Sequence, residues 1–111
     1  MYHIYGVDPS KDYTVITAFS GPPIIVYGNA NAVIDACMTI IEKVEANGDR
    51  VQFVVDATGF GAPIADMIDN LRPDENNVIR VIMTRDSRRM MERIMDVKLL
   101  LKYATRSVNY G

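Results

Sequence analysis

Two apolar runs in this chain end in an aspartate. "HIYGVD" closes on Asp8 and "QFVVD" closes on Asp56, and turn chemistry follows each at once, "PSKD" after the first and "ATGFGAP" after the second. A carboxylate is costly inside a strand otherwise fit for burial, so both acids belong at strand tips. Two such tips side by side stand about 5 Å apart, one strand spacing. Unneutralised like charges that close cost stability, and a divalent cation between them removes the cost. Hard carboxylate oxygens suit Mg²⁺ or Mn²⁺. Each aspartate alone is adequately explained as a turn residue; the metal reading rests on the two occurring together. The glycines of "TGFG" allow backbone to approach the site, and a helix beginning at Ala62–Pro63 is expected to favour anions there.

Other chemistry is sparse. His3 is the only histidine and falls at the start of its strand, away from the acids, so no Ser/His/Asp or Cys/His constellation is expected. Cys37 is the only cysteine, which excludes an internal disulfide framework and a Cys/His zinc cluster, and it falls on an apolar helical stripe. No GxxxxGK[ST] phosphate loop is present. Lys11 and the arginines of "TRDSRRMMER" (Arg85, Arg88, Arg89 and Arg93) are candidates for holding phosphates. Residues 80–111 carry a charge of +5 within a chain of net charge −2, so a basic C-terminal third could face a polyanion or be a solvated helix face. Asp12, Asp66 and Asp69 are candidates for supporting the site, with solvated surface the commoner fate of such acids.

The elements that must position Asp8 and Asp56 follow from periodicity. Tyr2–Asp8, Tyr13–Phe19 and Ile24–Gly28 read as strands separated by short gaps, hence an antiparallel meander. From Ala30 the period changes: Val33, Cys37, Ile40, Ile41 and Val44 recur at helical spacing, with Asn29 or Asn31 as N-cap and Gly48 closing the helix. "RVQFVVD" is a fourth strand, a helix carries Ile64, Met67, Ile68 and Leu71, and Val78–Thr84 is a fifth strand. A last helix is expected from about Ser87 to Ala104. Strands four and five follow helices and so lie parallel to strand one through right-handed crossovers. The expected sheet order is 3-2-1-4-5, strand 2 antiparallel to the rest, with helices on both faces. Asp8 and Asp56 then lie at adjacent central tips, on the side where open α/β sheets bind ligands.

With those elements in place, "YGVDPSKDYTVITAF" and "FVVDATGFGAPIADMIDNL" resemble the nuclease domain of phage terminase large subunits, a ribonuclease H-like fold related to Holliday-junction resolvases. The final "RRMMERIMDVKLLLKYA" resembles the helix after strand five in that family, so the likeness spans nearly all 111 residues. The resemblance implies one ribonuclease H-like nuclease domain over 1–111, with Asp8 and Asp56 as catalytic metal ligands. It also implies a third acid, which in terminases lies downstream of the last helix; here Asp96 is the candidate, with Glu92 the alternative. What it implies in function is a Mg²⁺- or Mn²⁺-dependent DNA endonuclease of viral DNA packaging, with DNA as partner and a separate packaging ATPase or other viral protein as a further one.

The competing reading is a catalytically degenerate domain of the same fold kept as a nucleic-acid- or protein-binding module. A phosphoacceptor receiver, with Asp56 as acceptor and Thr84 at the next tip, is disfavoured because a receiver needs a helix between its first two strands. An actin-like nucleotide-binding half shares the topology but needs a second lobe. Size and composition, with 49% hydrophobic and 23% charged residues, suit one globular domain. The start "MYHIYGVDPSK" lacks a signal-peptide pattern and no stretch reaches a membrane span, so a cytoplasmic protein, in a host cell if viral, is expected.

Overall fold

Three strands with only short loops between them have no room for a crossover, and they reverse direction at each turn. In the computed structural model, which describes residues 1–18 and 21–82, β1 (Tyr2–Asp8) pairs antiparallel with β2 (Tyr13–Ala18), and β2 pairs antiparallel with β3 (Ile24–Tyr27). The chain then enters α1 (Ala30–Glu45), returns as β4 (Arg50–Asp56), forms α2 (Gly61–Asp69) and a 3₁₀ turn at Pro73–Glu75, and finishes in β5 (Val78–Val81). β4 lies parallel to β1 and β5 parallel to β4, which gives one five-stranded mixed sheet in the order β3-β2-β1-β4-β5. Strand order and direction agree with the expectation from loop lengths.

Residue alternation splits the sheet cleanly. Val7, Ile16, Val51, Phe53, Val55 and Val78 point to one face and join Val33, Cys37, Ile40, Ile41 and Val44 of α1 and Ile64, Ala65 and Ile68 of α2 in a single core. Phe53 and Val55, on a central strand, are fully buried, as a strand covered by helices requires. Both described helices therefore pack on the same face. The third helix expected from sequence, which the two-faced arrangement needs, lies outside the described residues.

The helix ends show which sequence signals were used. Of the two candidate caps for α1, Asn29 is the one employed: its side chain accepts from the Ala32 N–H at 3.2 Å. α2 starts two residues before Pro63, at Gly61, with Phe60 in the cap position and no side-chain cap bond. The 3₁₀ turn ends in Asn76, the one non-glycine residue at positive φ among those described, in the left-handed region that asparagine tolerates. At the far end of the sheet the His3 imidazole and the Asp49 carboxylate meet at 2.9 Å, and the Met1 amino group reaches the same carboxylate at 3.4 Å.

Candidate functional site

The last parallel rung between the central strands joins Val7 to Val55, and the next residue on each strand is an aspartate. In a parallel pair residues in register point to the same face, so Asp8 and Asp56 rise side by side about 5 Å apart, on the face opposite α1 and α2. Asp8 also stands opposite Val15 on β2, Val15 opposite Ile25 on β3, and Asp56 opposite Val81 on β5. The result is one row across the whole sheet: Ile25, Val15, Asp8, Asp56, Val81. Two carboxylates are thus bracketed by apolar side chains, with Val15 only 8% exposed. Asp8 itself is exposed and Asp56 half-buried, so the pair is open to solvent and to an incoming ligand. One step back along the strands, Gly6 removes a side chain from the floor beside Asp8; a Cβ there would come within 2.9 Å of the Thr17 hydroxyl.

The backbone after Asp56 is held tightly. Asp56 Oδ1 accepts from the Thr58 N–H at 3.0 Å, which closes an Asx-type turn, and the Ala57 N–H extends the ladder to the Val81 carbonyl at 2.8 Å. Gly59 takes φ +56° to bring the chain round. Gly61 then lies directly against the Asp56 peptide: a Cβ built on it would stand 1.7 Å from the Asp56 carbonyl oxygen and 3.4 Å from Cγ of Pro9. Glycine at this one position lets the start of α2 seat against the tip of β4 and the residue that follows Asp8. The two strand tips and the helix start form a single packed unit.

The anion-binding role expected of the α2 N-terminus is not supported by its bonds. Gly61 N–H donates to the Thr58 carbonyl at 3.1 Å, Ala62 N–H to the Gly59 carbonyl at 3.3 Å, and Pro63 has no N–H. The first three helical positions are therefore committed to the turn or lack a donor, which weakens the N-terminal electrostatic offer.

The remaining candidates fall as follows. Lys11 and Asp12 are exposed in the β1–β2 turn, at the same edge as the two acids. Asp66 and Asp69 do not support the site: Arg80, which β5 points to the helix face, reaches Asp66 at 2.8 Å and Asp69 at 3.4 Å. Their i, i+3 spacing on α2 serves an ion pair with the adjacent strand. His3 is at the opposite edge, as its early position in β1 implied. Asp96, Glu92, Thr84, Arg85, Arg88, Arg89 and Arg93 lie outside the described residues. Among the described residues no three His, Cys, Asp or Glu side chains converge.

Sequence reading missed two features of this edge. One is the particular seat of Gly61 against the Asp56 peptide, where "TGFG" signalled backbone approach without saying which glycine makes it. The other is an aromatic pair, Tyr13 and Tyr27, whose rings lie 6.0 Å apart between centroids. Tyr13 opens the second strand and Tyr27 stands at the end of the third, and that placement was a usable signal for a cross-strand pair.

The donor set fits a hard divalent cation: two carboxylates on a shared face, fixed by the sheet register rather than by flexible loops. No protein-family model, no curated protein and no solved structure matches the chain.

Proposed function

We propose that this chain is a ribonuclease H-like domain that binds Mg²⁺ or Mn²⁺ through Asp8 and Asp56 and hydrolyses phosphodiester bonds in DNA, in the manner of the terminase nucleases its motifs resemble. The observation that carries the proposal is the parallel register of β1 and β4, which sets two carboxylates on neighbouring tips of one sheet face. Asp8 and Asp56 would hold the ion, with Asp96 as a third ligand. A divalent ion bound there supplies charge neutralisation for the phosphate and activation of a water. Lys11, at the same edge, binds a neighbouring phosphate, and the arginines of "TRDSRRMMER" extend that contact along the backbone of the nucleic acid. The tight seat of Gly61 against Asp56 keeps the second carboxylate in place, which matters because catalytic geometry tolerates little displacement.

The test has a binding arm and a cleavage arm. Mn²⁺ should raise the melting temperature of the wild type, because a ligand of the native state alone stabilises it, and Asp56→Asn should sharply reduce that rise. Mn²⁺-dependent nicking of plasmid DNA should disappear in Asp8→Ala and in Asp96→Ala. An unchanged Mn²⁺ response in Asp56→Asn removes the metal assignment, and nicking untouched by Asp8→Ala removes the mechanism. A metal response and salt-sensitive DNA binding without nicking would instead identify the degenerate binding module.

A further inference from the structure

The Tyr13–Tyr27 pair stands at the edge of the sheet that carries Asp8 and Asp56. β3 runs parallel to β1, so Tyr27 closes β3 at the same side on which Asp8 closes β1, and Tyr13 opens the antiparallel β2 there. Alternation places both rings on the face that bears the two carboxylates, one step outward from the row of Ile25, Val15, Asp8 and Asp56. The rings are inclined at 51° and remain 37% and 68% exposed. A cross-strand aromatic pair contributes to sheet stability, yet that contribution grows with burial, and Tyr27 is left mostly in water. Lys11 is exposed in the turn between Asp8 and Tyr13. One edge thus presents, in order across the sheet, an aromatic surface, a cation and a pair of carboxylates.

We infer that Tyr13 and Tyr27 form a stacking platform for an unpaired base of the strand whose phosphate lies over Asp8 and Asp56. This rests on the proposed phosphodiesterase reading and specifies its substrate: nucleic acid that is single-stranded, or opened, beside the scissile phosphate. β2 and β3 lie one and two strand spacings from β1, roughly 5 and 10 Å, close enough for neighbouring nucleotides of one strand. Every base offers a π-face, so a platform of this kind reads strandedness rather than sequence. Lys11 sits where the connecting phosphate would pass.

The experiment measures binding of a fluorescein-labelled oligothymidine to the full chain by anisotropy in EDTA, so that neither cleavage nor the cation assignment enters the result. Tyr27→Ala should weaken binding by roughly 5- to 150-fold, the range for loss of one base–aromatic stack, while Tyr27→Trp retains it. A blunt duplex, and an oligonucleotide of the same length made of abasic sites, should bind Tyr27→Ala and wild type alike. The melting temperature of Tyr27→Ala is read in parallel, and Tyr13→Phe serves as a second variant that keeps the ring. Equal binding of oligothymidine by wild type and Tyr27→Ala overturns the platform, as does absence of oligothymidine binding by the wild type. Equal weakening on abasic strand and duplex overturns it too, since it would mean a general loss of charge contacts or of fold. A platform that survives while the Mn²⁺ response fails would separate this inference from the metal reading.

Discussion

Replacing Gly61 with alanine adds one methyl group where the structure has no space for it. The new Cβ would lie 1.7 Å from the Asp56 carbonyl oxygen and 2.8 Å from its carbonyl carbon, whereas real Cβ contacts essentially never fall under 3.0 Å. The shortfall of 1.3 Å is set against backbone on both sides, so no rotamer change relieves it. Two effects compete. Alanine is a better helix former than glycine by up to about 1 kcal/mol, less at the first position of a helix. Overpacking against rigid neighbours costs about 1–3 kcal/mol, and a backbone-to-backbone seat belongs at the upper end. The overlap wins, with a net loss of about 2–3 kcal/mol. At a urea slope of about 1.5 kcal/mol/M, typical for a domain of this size, the unfolding midpoint falls by about 1.3–2 M. Because α2 and the β4 tip must separate, Asp56 moves with them, so under the proposed metal binding the rise in melting temperature with Mn²⁺ should shrink although no carboxylate has been altered. Gly59→Ala is the control. Gly59 has open space around it but φ +56°, so it should lose only about 1–2 kcal/mol from backbone conformation. A Gly61→Ala midpoint within 0.3 M or so of wild type would refute the packing argument. A destabilised variant with a full metal response would show that Gly61 does not hold Asp56.

Acid stability should report two ion pairs. Arg72 beside Glu45, with bonds of 2.8 and 3.1 Å, lowers the Glu45 carboxyl below its ordinary 4.5, and the His3 bond lowers Asp49 below 3.8. Carboxyl groups depressed by folding add stability that is fully present above their unfolded values and lost as pH falls through the folded ones. Denaturant midpoints should therefore drop below about pH 4.5, with a shallower drop in Glu45→Gln; identical acid limbs in both proteins would remove the pair from the account. Burial pushes the Cys37 thiol up to about 12, so the native protein should resist a thiol reagent at pH 8 and react only as fast as it opens. Prompt native-state labelling would contradict the core position of α1.

Strand order was legible because loop length admits few solutions: the meander turns are too short for a crossover, and each helix between strands supplies one. Strand ends were legible where composition changes abruptly, as at Asp8 and Asp56. Register was not, since nothing local states that Val7 should meet Val55 rather than Val54; the match comes from packing of Val7, Phe53 and Val55 under α1 and α2. The same blindness to which face a helix covers left Asp66 and Asp69 among the candidates, because the decisive partner, Arg80, comes from a strand eleven residues or more further along. The close seat of Gly61 is a property of two backbones meeting in space, and glycine in a turn-rich stretch signals it only as one option among several.

The rung that aligns the two acids joins residues 48 positions apart, with β2, β3 and the whole of α1 looped out between them. Closing a flexible loop of that length costs about 3 kcal/mol of chain entropy, recovered only when β4 docks beside β1. The meander formed by the first three strands depends on local pairings and can assemble early, but it carries one carboxylate alone. Paired carboxylates are therefore a property of the joined chain: if the backbone is cut at exposed Gly48, the pair should return only when the two pieces reassociate, at a rate that depends on their concentration.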